Sequence, residues 1–157
     1  MQKTRPCLWF DTQAEEAATF YTSLFKNSEI TEISRYGEAG PGPAGSVLTV
    51  TFTLDGDEFL ALNGGPEFKF NEAVSFQINC DDQDEVDHFW NSLSDGGEEG
   101  PCGWLKDKFG LSWQVVPTAL PRLLSDPDPG RADRAMKAML SMGKLDIAAL
   151  EKAADGA

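Results

Sequence analysis

The stretch GPCGWLKDKFGLSWQVVP, from Gly100 to Pro117, organises the interpretation of this 157-residue chain. It predicts a β-hairpin, because two strand-like runs flank the turn-forming segment from Asp107 to Gly110. The first strand is expected to end near Lys106, and the second to run to the proline at the end of the stretch. The hairpin gathers a cysteine, two tryptophans, two lysines and a glutamine. We therefore expect it to form one wall of any binding site.

Length, composition and charge limit the classes of function. A chain of this length suits one domain or two small modules, and 41% hydrophobic residues are enough for a core. The formal net charge of −13 argues against binding to nucleic acid or to an anionic membrane, because both need clustered Lys and Arg. No apolar run is long enough to span a membrane, and no signal peptide is visible at the N-terminus. Three widely spaced cysteines suit reduced thiols, so we expect a cytoplasmic protein.

An internal repeat predicts the architecture. The motif Phe-Tyr-x-x-Leu at residues 20–24 matches Phe-Trp-x-x-Leu at residues 89–93, an offset of 69 residues. The same offset carries Thr12, which forms a capping box with Glu15 at the start of the first helix, to Asp81 before the second helix. Each half then predicts a β-α-β-β-β unit, and two such units can curl their sheets into a cup with the helices outside. The alternative is a chance similarity of two amphipathic helices.

The C-terminal region predicts helices after a proline-rich connector at residues 117–129. One helix is expected from about Arg131 to Met142, and a shorter one from Asp146 through Ala154. Four residues give the longer helix an apolar stripe: Ala135, Met136, Met139 and Leu140. We expect this stripe to pack on the domain or on a second subunit; the alternative is a site for a partner helix.

Several motifs resemble the vicinal oxygen chelate superfamily, which includes glyoxalases, bleomycin-resistance proteins and extradiol dioxygenases and is built from paired β-α-β-β-β modules. The chain is most similar to its PhnB-like branch, labelled 3-demethylubiquinone-9 3-methyltransferase. Similarity covers nearly the whole chain, and these segments carry it: Pro6–Asp11, Glu16–Tyr21 with Leu24 and Phe25, Leu62–Pro66, Cys102–Gln114, and Met142–Asp146 in the tail.

The resemblance implies an α+β fold with two β-α-β-β-β modules forming a cup-shaped sheet. The superfamily domain would cover residues 1–120, with one module at about 1–66 and the other at about 72–118. Residues 121–157 would form a helical C-terminal extension. The resemblance also implies a homodimer. The methyltransferase label is not supported by a cofactor motif, because no glycine-rich strand-to-helix turn for S-adenosylmethionine is visible.

Metal-dependent members of the superfamily hold one divalent ion in the cup with four His, Glu or Gln ligands. The resemblance places the corresponding positions here at Pro6 (or Cys7, if the register slips by one residue), Ala61, Ser75 and Gln114. Proline and alanine carry no ligating side-chain atom, and serine and neutral glutamine are weak ligands. The single histidine, His88, falls on the second helix, outside the cup. We therefore expect no bound metal and no other cofactor.

Strand alternation combined with the resemblance selects the pocket candidates. The cup would be lined by Leu8, Phe10, Phe59, Asn63, Ser75, Gln77 and Gln114. Alternation in the hairpin puts Cys102, Trp104 and Lys106 on one wall, and Trp113 would face the helices. The alternatives are a filled core in which the amides are satisfied by neighbours, and a hairpin with a buried cysteine and a solvent-facing lysine.

These observations favour a protein that binds a small, mostly apolar molecule in the cup without a metal. One alternative is an enzyme of the same superfamily with an altered or metal-free site. Another is a noncatalytic assembly module. The expected partners are a small-molecule ligand and a second copy of the chain, with no nucleic acid and no membrane.

Overall fold

The computed structural model describes residues 2–156, which form two compact units divided between Phe70 and Asn71. The first unit contains one helix and four strands: β1 (Cys7–Phe10), α1 (Ala14–Leu24), β2 (Glu29–Arg35), β3 (Val47–Leu54) and β4 (Asp57–Asn63). The strands form one sheet in the order β1-β4-β3-β2. β1 runs parallel to β4, and the other neighbours are antiparallel. This is the predicted β-α-β-β-β unit.

The core of the first unit lies between α1 and one face of this sheet. Tyr21 of α1 and Phe52 of β3 are both fully buried, with their ring centroids 6.3 Å apart. Phe59 lies directly opposite Phe52 on β4 and stacks on it at 5.4 Å. Full burial of a side chain such as Phe52 contributes roughly 1.5–3 kcal/mol. The apolar stripe of α1 therefore fixes which sheet face becomes the interior.

The start of α1 differs from the predicted capping box. The helix begins at Ala14, and neither Thr12 nor Gln13 caps it through its side chain. The Oδ1 atom of Asn63, at the end of β4, instead accepts a hydrogen bond from the Ala14 N–H at 2.9 Å. One of the amides that a helix start leaves without a partner is thus satisfied from a neighbouring strand.

The second unit repeats the plan and adds three helices. Its elements are β5 (Ser75–Cys80), α2 (Gln83–Ser94), β6 (Glu98–Glu99), β7 (Trp104–Lys106), β8 (Ser112–Pro117), α3 (Ala119–Leu124), α4 (Pro129–Leu140) and α5 (Ile147–Ala154). The sheet order is β5-β8-β7-β6, with β5 parallel to β8. Asp82 caps α2 by accepting from the Glu85 N–H at 2.9 Å, one residue after the predicted repeat position.

The predicted hairpin is confirmed as β7 and β8, joined by a turn over Asp107–Gly110. The buried carboxylate of Asp107 holds this turn: it accepts from the N–H groups of Phe109 and Leu111 at 2.9 and 3.0 Å and from the Trp113 Nε1–H at 2.9 Å. Trp113 is buried beside Phe76, on the sheet face that packs against α2. Its predicted direction is therefore confirmed.

The C-terminal helices pack on the second unit within the same chain. Their apolar core consists of Val116, Leu120, Leu123, Ala135, Leu145, Leu150 and Ala154. The backbone is also tied down, because the Cys102 N–H donates to the Met142 carbonyl at 2.7 Å and the Gly103 N–H to the Gly143 carbonyl at 2.9 Å. The extension therefore holds the turn that leads into β7.

One expectation for this region needs correction. The proline-rich connector contains α3, and Pro121 fits because it lies in the first turn, where its missing N–H is not needed. The apolar stripe of α4 is only partly covered: Ala135 is fully buried, whereas Met136 and Leu140 are 39% and 61% exposed. Within residues 2–156, no helix combines the length and apolar character needed to cross a bilayer.

Candidate functional site

A cavity of about 470 Å³ lies in the second unit, hereafter the second-unit cavity. It is lined by Glu72, Glu98, Glu99, Gly100, Pro101, Trp104, Leu105, Lys106 and Ser112. Both ends of the hairpin contribute, together with the two-residue strand β6 and the segment before β5. The predicted wall residues Trp104 and Lys106 are therefore brought together.

Strand pairing explains why these side chains meet. Lys106 lies directly opposite Ser112, and Trp104 lies opposite Gln114, across the antiparallel ladder of β7 and β8. Directly opposed residues project to the same face of a sheet. We call this side, opposite the one that packs against α2, the Trp104 face. It carries an indole, an ammonium, a hydroxyl and an amide.

The hydroxyl of Ser112 is the one buried side-chain polar group without a hydrogen-bond partner among residues 2–156. The residue is only 1% exposed, and it lines the second-unit cavity. An unsatisfied buried polar group costs about 1–3 kcal/mol. Such a group is favourable where a bound molecule supplies the missing partner.

An ion pair lies beside this hydroxyl, between Lys106 and Glu72. The hydrogen bond and charge of Glu72 raise the pKa of Lys106, with a further contribution from the charge of Glu98. The same hydrogen bond lowers the pKa of Glu72. Both side chains are partly exposed, at 37% and 60%, so the pair is accessible from solvent.

The amides predicted for the pocket bond to neighbours in the sheet. The Gln114 Nε2 donates to the Ser75 Oγ at 2.9 Å, and the Gln77 Nε2 donates to the Asn79 Oδ1 at 3.0 Å. Ser75, Gln77 and Gln114 share the Trp104 face through the β5–β8 register, but none of them lines the second-unit cavity. Ser75 and Gln114 thus satisfy each other.

The predicted position of Cys102 on the same wall is wrong. β7 begins only at Trp104, and Cys102 adopts a left-handed backbone conformation with φ of 59° in the preceding turn. Strand alternation therefore does not extend to it, and it does not line the second-unit cavity. Elsewhere, burial raises the pKa of Cys7, while burial and nearby carboxylates raise that of Cys80 to about 12. Neither is an activated nucleophile.

The first-unit candidates lie on the opposite side of their sheet from the one expected. Leu8 and Phe10 are 6% and 3% exposed, and through the strand register they share the interior face with Phe52 and Phe59. Asn63 caps α1 through Oδ1 and donates from Nδ2 to the Val47 carbonyl at 3.1 Å. Three of these four candidates therefore belong to the packed interior, and the fourth orders the helix start.

Sequence reasoning also missed parts of the molecule. Glu72, Glu98 and Glu99 were not expected in a site, because isolated acidic residues carry no periodic signal. A cavity of about 420 Å³ in the first unit was missed too; it is lined by Asp11, Thr12, Glu15, Tyr36, Pro41, Gly42, Pro43, Ser46, Val47, Asn63, Gly64 and Gly65. The glycine- and proline-rich stretch at residues 37–45 was its visible signal.

A family model described as 3-demethylubiquinone-9 3-methyltransferase matches residues 2–116. A solved structure of a putative 3-demethylubiquinone-9 3-methyltransferase, the PhnB protein from Bacillus cereus, is 40% identical with a TM-score of 0.68. That match covers 74% of this chain and 100% of the Bacillus chain. The chain belongs to the 3-demethylubiquinone-9 3-methyltransferase family. The family model ends at residue 116, so it does not support the expected similarity of the tail.

More distant structures share the fold of this family. A protein from Pseudomonas aeruginosa is 20% identical with a TM-score of 0.62, covering 74% of this chain and 98% of that one. The fosfomycin resistance protein FosX from Listeria monocytogenes, in its monoclinic form, is 16% identical with a TM-score of 0.53, covering 80% and 98%. These matches confirm the glyoxalase/bleomycin-resistance type of fold. The comparison with curated proteins gave no match.

Within this family member, the repeat needs a one-residue adjustment. Three residues separate β1 from α1, but only two separate β5 from α2. In the strands, Cys7 pairs with Leu60 as Gln77 pairs with Gln114. Leu60, rather than Ala61, therefore corresponds to Gln114, and leucine has no ligating atom. Within residues 2–156, no cluster of three or more His, Cys, Asp or Glu side chains is placed to hold a metal ion.

Proposed function

We propose that this family member binds a small, mostly apolar molecule in the second-unit cavity, without a bound metal. The observation that carries the proposal is Ser112, a residue of the cavity lining whose buried hydroxyl has no hydrogen-bond partner within residues 2–156. A ligand that reaches it would satisfy the hydroxyl and at the same time cover the neighbouring indole.

Size and lining support this proposal. The volume of about 470 Å³ lies within the usual range for small-molecule sites. The side chains of Trp104 and Pro101 provide apolar surface, and Ser112 and Lys106 provide polar groups that can orient a ligand. An apolar wall with a few polar groups is the usual composition of a ligand site.

The donor set supports binding without a metal. Ser75 and Gln114 hydrogen-bond to each other, and the position in the first unit that matches Gln114 is Leu60. A tightly held divalent ion needs several carboxylate, imidazole or thiolate ligands. The two units do not supply such ligands at these corresponding positions.

Ligand binding can be tested with a thermal-shift screen of hydrophobic small molecules, followed by calorimetry of the hits. We expect hits that raise the melting temperature of the native protein and lose affinity on Trp104→Ala. Phe68→Ala is the matched control, since Phe68 is 62% exposed in the first unit and should leave binding unchanged. No hit, or hits unaffected by Trp104→Ala, would refute the proposed site.

The metal-free state requires a separate measurement. Elemental analysis of the purified protein should find substoichiometric Ni, Zn, Mn and Fe. A stoichiometric metal that is lost on Gln114→Ala would favour an enzyme of the superfamily with an altered ligand set.

We also propose that the protein acts as a homodimer in the cytoplasm. The partly uncovered stripe of α4, with Met136 and Leu140 exposed, and the resemblance to superfamily dimers support this assembly. Sedimentation analysis should give twice the mass of 17.1 kDa. A monomer at micromolar concentration would contradict it.

A further inference from the structure

We infer that the molecule bound in the second-unit cavity is a small organic cation with an apolar body. This inference rests on the proposed function, and it adds the sign of the ligand's charge. It follows from the balance of charged groups around the cavity, from the aromatic wall and from the unpartnered hydroxyl.

Carboxylates outnumber cations in the lining. Glu72, Glu98 and Glu99 line the cavity, and Lys106 is the one cationic residue among its lining side chains. Lys106 already pairs with Glu72. Of the other two glutamates, Glu98 lies opposite Lys106 on the Trp104 face, so the carboxylates on this side of the cavity exceed the one lysine by one negative charge.

The sheet places the two remaining carboxylates on different faces. Glu98 pairs with Lys106 across β6 and β7, and Glu99 pairs with Leu105. One oxygen of Glu99 also accepts a hydrogen bond from the Trp90 Nε1–H at 3.1 Å, which fixes the carboxylate. A cation on the Trp104 face therefore meets the charge of Glu98, whereas the Glu99 carboxylate is held on the α2 side of the sheet.

The remaining polar and aromatic groups suit a cation equally well. The face of Trp104 attracts a positive charge through its ring quadrupole. The Ser112 oxygen has two lone pairs that can accept from an ammonium N–H. An anionic ligand would gain Lys106 only by displacing Glu72, and it would still face Glu98. The net charge of −13 also favours the approach of cations.

The sign of the charge can be tested with three probes of one shape: benzylammonium, benzyl alcohol and benzoate. Titration calorimetry on the native protein at low salt should show benzylammonium binding about tenfold or more tightly than the other two. Because the difference is electrostatic, it should shrink in 0.5 M sodium chloride, where the Debye length falls to roughly 4 Å from about 10 Å at 0.1 M.

Variants assign the effect to this cavity. Glu98→Gln should weaken benzylammonium about threefold and leave benzyl alcohol unchanged, because it removes one of the charges that the ligand meets. Glu38→Gln, in the exposed loop of the first unit, removes the same charge outside the cavity and should change neither. Equal effects of the two variants would overturn the inference.

The outcomes separate the inference from the proposed function. If benzoate or benzyl alcohol binds as tightly as benzylammonium, or if the hits from the hydrophobic screen carry no positive charge, the inference fails and the proposed function stands. If neither the three probes nor any molecule in the screen binds, both fail.

Discussion

The two units share one topology but differ in how their sheets are supported. In the first unit, β2, β3 and β4 have seven, eight and seven residues; in the second, β6, β7 and β8 have two, three and six. The longer sheet forms its core with α1 alone. The shorter sheet packs against α2, and the end of β8 also packs into an apolar core formed by α3, α4 and α5. The same topology therefore occurs in the two units with different sets of stabilising contacts.

The sheet faces turned away from α1 and α2 also differ in chemistry. In the first unit, β3 presents Thr49, Thr51 and Thr53 on this side, because these residues alternate with the buried Val50 and Phe52. In the second unit, the Trp104 face combines an ion pair, an indole and an unpartnered hydroxyl. The stronger evidence for a ligand site is therefore in the unit with the shorter sheet.

The largest effect should come from removing a buried contact in the extension. Leu150→Ala, at a fully buried position, should lower the free energy of unfolding by about 2–5 kcal/mol. Leu140→Ala is the matched control, because Leu140 is 61% exposed and should cost less than about 0.5 kcal/mol. Urea denaturation measures both. Similar values for the two variants would mean that the extension does not stabilise the second unit.

A smaller effect is expected at the turns of the two sheets. Asp107→Asn replaces the carboxylate oxygen facing Trp113 with an amide N–H, so two donors meet in a buried site, at a cost of about 1.5–3 kcal/mol. Asp55→Asn, in the exposed turn of the first unit, should change stability by less than about 0.5 kcal/mol, since asparagine tolerates its φ of 48°. Denaturation curves measure the free energy of unfolding of both variants. Equal losses would contradict the expected difference between the two turns.

Substitutions at the starts of α1 and α2 should have smaller effects on stability. Asn63→Ala removes the bonds to Ala14 and Val47 and should cost about 1–2 kcal/mol. Asp82→Ala, which removes the local cap of α2, should cost about 1 kcal/mol. Hydrogen exchange should show faster exchange in both α1 and β3 for the first variant, and in α2 alone for the second. If Asn63→Ala speeds exchange in only one of α1 and β3, Asn63 does not link the start of α1 to the sheet.

The smallest effect concerns the exposed ion pair. Lys106→Met should raise the pKa of Glu72, since the lysine hydrogen bond and charge lower it. A lowered folded pKa contributes stability above the ordinary pKa of a glutamate, and this is lost as the pH falls through the lowered value. A carboxyl titration by NMR measures the shift. Lys108→Met removes the same charge in the hairpin turn and should leave the Glu72 pKa unchanged.

Much of the fold could be predicted from the sequence, because the helix stripes and the hairpin turn are local patterns. The elements that were missed lack such patterns. β6 consists of Glu98 and Glu99 and has no apolar alternation. α3 was hidden by Pro121, which composition alone assigns to a connector. The cap of α1 depends on Asn63, too distant along the chain to be read from the residues before the helix.

The site could be predicted only in part, because face assignment depends on register. Trp104 and Lys106 were placed correctly, since both lie within β7. In the first unit, one additional residue between β1 and α1 shifted the alternation, so Leu8 and Phe10 were assigned to the wrong face. The family resemblance fixes the topology, but it does not fix a single-residue difference of this kind.

The hydrogen bond from Ala14 to Asn63 also makes the start of α1 depend on a strand that is distant in sequence. It joins residues 49 positions apart, so the first turn of α1 is completed only after β4 has docked. The bond from Glu85 to Asp82 closes within three residues. Because short loops close far faster than a sheet assembles, α2 can form as a capped helix before its sheet exists, whereas α1 gains its cap only when β4 is in place.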